Sequence, residues 1–532
     1  MIRKRIIISL WLIILVVLVG CSSENNDVQL NTIVYGLTLE PSGIDPHIYQ
    51  SAELGIVLRS VYDTLVYRDP ETLEIIPGLA TSWVLSDDGL SYTFSLREGV
   101  TFHDGTPFNA QAVGANLDRI VDPETASQRA KFMLGPYVGY EVIDEYTIRI
   151  DLSQSYIPLL DAFSQVYLSI ASPTAFNEYS RNRYQFFQVG TGPFRFVEYV
   201  PNDRIVIRRW EDYTWGPTFY DLPVDNSVEE IIFRFFDDEA TRLLAIESGD
   251  VNVMGELPPT DARALGGNSQ VQLLPVDVPG QPLQFMFNTQ QFPTDNPIVR
   301  QALIIATNRN AIVDTVFQGF SSVAWGPLSE GSLFYNRQMV GVYEHNAQQA
   351  RELLAAQGFV DGDGNGFLDA PNGDVEIVLI VPPWGRVPQV VQLLQDQWRD
   401  VGIRVQLDQV PNFNLLREAV DAGEYNLVSF DTPGIDPALL NDYFITSGVR
   451  NWMGYSNPEL DAILQEAVVI ADDSQRRLLY LEAQRLIMNN ALILPIREYR
   501  NLNATDSTIE DLQFDAYGWF PILNNVRLTT SG

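Results

Sequence analysis

Cysteine and histidine are nearly missing from this chain: one cysteine, Cys21, and three histidines, His47, His103 and His345, in 532 residues. A single thiol cannot form an internal disulfide, so stability has to come from the size of the core. Nucleophilic catalysis usually needs a base beside the nucleophile, most often histidine, and none of the three stands in a triad pattern. Nucleophile elbows, zinc-protease helix pairs and phosphate-cradling loops do not occur. Positive charge is also scarce, with 34 Lys and Arg against 68 Asp and Glu. That balance argues against nucleic acid and anionic membranes as partners. With so many carboxylates, close pairs arise by chance and read as solvated surface. What the chain does have is core material, 46% hydrophobic and 11% aromatic residues, in a length that implies two or three domains.

The N-terminus differs from the rest. Arg3-Lys4-Arg5 precedes an apolar run, Ile6 to Val19, broken only by Ser9 and closed by Leu18-Val19-Gly20-Cys21. The run is shorter than the ~20 residues of a transmembrane helix and reads as the core of a signal peptide over 1–20, an uncleaved anchor being the alternative. Cys21 sits as the cysteine of a bacterial lipoprotein box does, which makes it the expected lipidation site. Residues 21–30 then form a flexible polar tether. Removing 1–20 leaves 31 basic residues against 68 acidic ones.

Turn and helix signals punctuate the chain beyond. Asp88-Gly89 is a turn, and after it Tyr92, Phe94 and Leu96 alternate with Thr93, Ser95 and Arg97 as in a half-buried strand. A second turn at His103-Asp104-Gly105-Thr106 leads to Pro107 and a helix from Ala110; the histidine and acid there read as turn chemistry. Leu54 to Leu65 has helical spacing. Gly190-Thr191-Gly192-Pro193-Phe194 enforces a tight loop. Asp238 caps a helix that ends at Gly249, and Asn296-Pro297 opens another. Between 311 and 430, helices that end at Gly319, Gly358 and Gly402 alternate with strands at 375–381, 404–410 and 425–430, an α/β pattern. The chain then turns at Pro495 and crosses back between Leu502 and Asp511.

The wording of Pro77 to Phe108, of Gly190 to Tyr213 and of Phe292 to Leu303 strongly resembles the bacterial extracellular solute-binding proteins of the peptide and nickel family, family 5. The resemblance runs in order from about Tyr35 to Pro495. It implies an α/β, two-lobed periplasmic-binding-protein fold of type II, with an extra subdomain in the first lobe and a ligand cleft between hinged lobes. The expected boundaries are 31–64, 191–282 and 507–532 for the first lobe, 65–190 for the inserted subdomain and 283–506 for the second lobe. The implied protein is no enzyme. It is a monomeric, lipid-anchored receptor on the outer face of the cytoplasmic membrane, needing no cofactor and delivering its solute to an ABC permease with associated ATPases.

Peptide-binding members anchor the ligand's α-amino group on an aspartate ahead of an Asp-Pro pair. Here Asp436-Pro437 matches, but the expected position holds Pro433, and Asp431 lies two residues earlier. Asp431 is therefore the candidate ammonium partner, its alternative role being to end the preceding strand. Trp384 and Arg386 follow a strand at the ligand end of an open α/β sheet. Trp452 and Trp325 are further aromatic candidates, with core packing as their alternative, and Asn288 ends the strand where the family's chain crosses lobes. Few imidazoles and one lipidated cysteine argue against nickel. Asp361, Asp363, Asn365 and Asp369 are spaced as a calcium loop, but its twelfth position is Asn372 in place of a bidentate Glu. A turn-rich hairpin is the alternative there, and calcium, if bound, would be a structural staple. Oligopeptides or dipeptides are the expected solute. An oligosaccharide or other small solute is the runner-up, and a secreted hydrolase or a sensory or chaperone-like lipoprotein the readings from other classes.

Overall fold

A computed structural model describes residues 31–371 and 373–529. The expected signal peptide, tether and lipidation site Cys21 lie outside the described residues, as does Asn372. No helix among the described residues is long and apolar enough to cross a membrane.

Two lobes hold the two largest sheets. The first sheet has seven strands in the order Val271–Asp277, Arg500–Asp506, Val253–Met254, Thr32–Leu37, Glu230–Phe235, Arg204–Arg209 and Phe194–Val200. The second has five, in the order Arg404–Gln409, Glu376–Val381, Leu427–Ser429, Leu283–Phe287 and Ile493–Arg497. Helices cover both faces of the five-stranded sheet, so its strands are apolar on both sides. Phe285, Leu379 and Leu427 enter one core cluster, while Met286, Ile380 and Val428 enter another, the period-two alternation of a pleated strand.

A four-stranded antiparallel sheet, Ala80–Leu85, Ser91–Leu96, Thr147–Leu152 and Tyr137–Asp144, lies within 65–190, the segment expected as an insertion. Its inward residues Tyr92, Phe94, Ile148 and Ile150 share one continuous core with Ile33, Tyr35 and Phe233 of the first lobe. That segment is thus fused to the lobe by packing. His103, from the turn at its base, places Nε2 2.9 Å from the Gly192 carbonyl and stacks edge-on against Trp210, so it joins two turns.

Local capping explains most helix ends. Asp238 accepts from Thr241 N, and Gly249 takes φ +77° past the last turn of Glu239–Ser248. Asn296 accepts from Ile298 N, with Pro297 as the first helical residue of Pro297–Ala306.

Three expectations need correction. The helix read over 54–65 is only Ala52–Leu58. Beyond it the buried Asp63 carboxylate accepts from Tyr67 Oη, Thr191 Oγ1, Tyr213 Oη and Trp215 Nε1 at 2.6–3.1 Å, and these distant donors override local helical spacing. Pro495 does not turn the chain: it lies inside the strand Ile493–Arg497, at a sheet edge where a missing N–H is tolerated. The return to the first lobe comes earlier than 507, because Arg500–Asp506 is already a strand of the seven-stranded sheet, paired along its length with Val271–Asp277. The chain therefore changes lobe twice, between Asp277 and Leu283 and between Arg497 and Arg500. The two passages are tied together by Val278 N donating to the Tyr499 carbonyl, and the first is tied to the second lobe by Gly434 N donating to the Pro279 carbonyl.

Candidate functional site

A cavity of about 410 Å³ opens between the lobes beside these passages, within the ~300–1,000 Å³ usual for small-ligand sites. The first lobe contributes Glu239, Glu256 and Asn501, the second Phe317, Trp384 and Arg386, and the passage between them Arg497 and Tyr499.

Of the sequence-expected residues, Trp384 and Arg386 line this cavity. Arg386 adopts φ +61° at the N-cap of the helix Val387–Arg399. Its Nη2 donates across the cleft to Glu239 Oε2 at 2.9 Å. Asp431 is not part of the lining. It follows the strand Leu427–Ser429 and interacts with Arg497, while burial pushes its carboxyl up to about 6. Among the described residues no other residue donates a hydrogen bond to it.

Three expected residues sit elsewhere. Trp452 is buried in the second-lobe core, 5.3 Å from the Phe430 ring. Trp325 lies under the Arg309 guanidinium, 4.3 Å from its centre. Asn288 spends its amide on the Tyr425 carbonyl and on Gln290 N. All three shape the lobe that presents the cleft. The Asp361 loop is closed by its own amides: Asp361 accepts from Gly364 N and Gly366 N, Asp363 from Asn365 N, and Asp369 from Gly362 N. Its carboxylates are held in a turn, and no group of three or more acidic, histidine or cysteine side chains converges to hold a metal among the described residues.

The residues that sequence reasoning missed are the polar ones along the passages. Gln281 and Gln284 leave both side-chain amide atoms without a hydrogen-bond partner, as does Asn503; Arg497 Nε, Asn501 Oδ1 and Trp519 Nε1 are also unpartnered. Gln281, Gln284, Arg497, Asn501 and Asn503 are all at most 5% exposed. Buried polar atoms normally find partners, and leaving one unpaired costs about 1–3 kcal/mol. Arg497 is further held between the Phe317 and Tyr499 rings at 4.2 and 4.3 Å, and Tyr499 packs on Trp519 at 5.6 Å. Burial pushes Glu256 up to about 7, helped by repulsion from Glu53 and opposed by Arg242. Glu498 is pushed up to about 8, by burial above all and with repulsion from Glu330 and Asp277. No local motif marks these residues, since they meet only when segments more than 200 positions apart pair.

Residues 74–453 match the family model described as bacterial extracellular solute-binding proteins, family 5 Middle. The chain is 30% identical over 499 residues to "Heme-binding protein A" of Haemophilus influenzae, covering 88% of this chain and 87% of that one. It is 29% identical over 490 residues to "Glutathione-binding protein GsiB" of Escherichia coli K12, with 90% of each chain covered. In fold it is similar to NikA from Brucella suis in complex with Fe(III)-EDTA, with a TM-score of 0.83 at 22% identity over 94% of this chain and all of that one.

Proposed function

The chain belongs to the bacterial extracellular solute-binding proteins of family 5, the receptors of ATP-driven importers, and on that premise we propose that it is a lipid-anchored receptor for short peptides. The observation that carries this reading is the set of unpartnered polar atoms where the chain passes between lobes: both amide atoms of Gln281 in one passage, and Arg497 Nε and Asn501 Oδ1 on the cavity wall at the other. A primary amide offers both donors and acceptors, and a peptide backbone offers the complementary alternation, so burial of such a ligand would satisfy both sides at once. Asp431, outside the lining of the cavity but interacting with Arg497 on its wall, takes the ammonium group as a charge-assisted partner once the cleft closes. Arg497, whose Nε is free, takes a carbonyl or carboxylate. Trp384 packs against a side chain. Glutathione, named in one relative, is itself a tripeptide.

Anchored through Cys21 on the outer face of the cytoplasmic membrane, the monomeric receptor would hand its peptide to a permease with attached ATPases. Binding in the cleft closes the lobes and stabilises the protein by mass action. The relatives are named as binding proteins, which supports a receptor over the hydrolase reading.

Mass spectrometry of ligand released from the purified protein tests the proposal. Short peptides are expected in the eluate. A glycan and no peptide would overturn it in favour of a sugar stacked on Trp384. Turnover of a peptide by the purified protein would overturn the receptor reading itself.

A further inference from the structure

Glu256 stands on the first-lobe wall of the cleft in a conformation that side chains seldom adopt, with φ +48°. The backbone on either side of it is pinned. Gly255 N donates to the Gly36 carbonyl and Leu257 N to the Leu502 carbonyl, at 3.3 and 2.8 Å. The carboxylate between them receives no hydrogen bond among the described residues. Arg242, whose charge favours the ionised carboxylate, donates instead to the backbone carbonyls of Phe236, Thr38, Asp237 and Glu256 itself. Glu53 adds repulsion, and the Tyr499 hydroxyl feels both Glu256 and Asp431, one from each lobe.

A second observation points to what the carboxylate awaits. Asn501 and Asn503 are two apart on the strand Arg500–Asp506, so they project from one face. Asn501 is 4% exposed and lines the same cavity with its Oδ1 unpartnered. Asn503 is 1% exposed with both amide atoms unpartnered. Its Oδ1 lies 3.5 Å from the place a Cβ would occupy on Gly255, directly against the residue before Glu256. Asn503 is thus buried behind the wall, while the Glu256 carboxylate and Asn501 Oδ1 put two acceptors without donors on the cavity itself. An ammonium or guanidinium group, which brings donors and no acceptor, matches them.

We infer that Glu256, with the side-chain oxygen of Asn501, is a second cation subsite, and that the preferred solute carries a basic side chain of the lysyl or arginyl kind besides the ammonium group assigned to Asp431. This rests on the reading of the chain as a peptide receptor and narrows its ligand. With an ammonium on each lobe's carboxylate, the solute would hold the two lobes together.

Calorimetry on the mature protein provides the test, comparing Ala-Lys-Ala with the neutral Ala-Gln-Ala, and wild type with Glu256→Gln. A charged hydrogen bond at this position predicts about ten-fold or greater preference for the lysyl peptide, falling to about two-fold or less in the variant. Equal binding of the two peptides by the wild type would overturn the subsite and leave the peptide receptor standing. So would a preference that survives Glu256→Gln. If neither peptide binds, 1,4-diaminobutane separates the two ideas. Its binding to wild type and not to the variant would uphold the subsite while removing the peptide reading. No binding of the diamine would overturn the subsite as well. The wild-type comparison stands without the variant, so a poorly folding Glu256→Gln cannot shelter the idea.

Discussion

Arg386 Nη2 and Glu239 Oε2 lie 2.9 Å apart, and the two residues belong to different lobes. Arg386 opens a second-lobe helix and Glu239 a first-lobe one, so their bond exists only while the cleft is narrow. The side chains remain 28% and 55% exposed, and solvent screening limits such a pair to roughly 0–1 kcal/mol. Arg386→Ala should therefore leave the thermal midpoint nearly unchanged. It should speed ligand release, weakening affinity by no more than about five-fold. Stopped-flow dissociation rates and thermal unfolding check this; a large loss of midpoint without a change in release would show that the pair serves stability instead.

Two tryptophans should separate cleft from core. Trp384 lines the cavity, whereas Trp452 is buried among Phe430, Tyr425 and their neighbours. Trp452→Ala is expected to cost about 3–5 kcal/mol of stability, as truncation of a large core side chain does. Trp384→Ala should cost much less stability and weaken ligand binding about ten-fold, a loss near 1.4 kcal/mol. Urea unfolding and calorimetric titration measure the two effects, and the reverse pattern would put the site elsewhere.

Glu256 on the cavity wall and Glu498 in the passage between lobes should make stability fall between about pH 4.5 and 8, most cleanly seen above 6.5 where the buried histidines no longer contribute. Glu256 and Glu498 are raised from an ordinary 4.5 to about 7 and about 8. A folded-state value above the unfolded one means the native protein holds the proton longer. Their contribution is full below about 4.5, is lost as pH rises from there towards 7 for Glu256 and 8 for Glu498, and changes no further above. His47 and His103, lowered from 6.5 to about 4 by burial, act in the opposite direction but mainly below pH 6.5. Urea midpoints of the ligand-free protein should fall from pH 6.5 to 8 and level off above, and Glu498→Gln should flatten the slope. A basic ligand reverses the preference for low pH, because it needs the Glu256 carboxylate ionised.

A buried ion pair under the second lobe offers a clean stability test. Arg476 Nη2 donates to Asp436 Oδ1 at 2.7 Å, with side-chain exposures of 3% and 7%. The guanidinium also stacks near the Phe334 and Tyr480 rings. Asp436→Ala strands the cation and should cost about 3–5 kcal/mol. Replacing both partners with apolar residues should cost less, since no lone charge remains. Denaturant unfolding of the single and double variants distinguishes the two; equal losses would mean that packing, not charge, dominates.

Gly280 should tolerate no side chain. It has φ +125°, and a Cβ there would stand 2.5–2.7 Å from Gly434 N, the Thr432 carbonyl and Pro433 Cα. Those atoms are backbone and cannot swing aside. Gly280→Ala is expected to destabilise the passage between lobes by more than about 1 kcal/mol, read as a lower thermal midpoint. An unchanged midpoint would show that the passage can shift freely.

Much of the fold was legible because it is set within four or five residues. The Asn296-Pro297 helix start, the Gly249 stop, the Asp88-Gly89 turn and the alternating strand around Phe94 all rest on local capping, backbone sterics and side-chain period. These hold whatever the rest of the chain does. Residues 54–65 show the limit, since there the spacing was helical yet Asp63 was claimed by donors as distant as Thr191 and Trp215. The site was legible only in part. Trp384 and Arg386 could be placed because they follow a recognisable strand in an open α/β sheet, but Trp452, Trp325 and Asn288 look the same in sequence and are consumed by packing or backbone bonds.

By itself the sequence determined the two-lobed α/β fold and the family, through local signals repeated in order along the chain. Only the tertiary structure decided which polar groups face the cleft. Glu256, Arg497 and Asn501 acquire meaning when the strand from residue 500 onward pairs between Val271–Asp277 and Val253–Met254. The physical reason is that burial and the lack of a partner are properties of the assembled surroundings, and no window of sequence contains them.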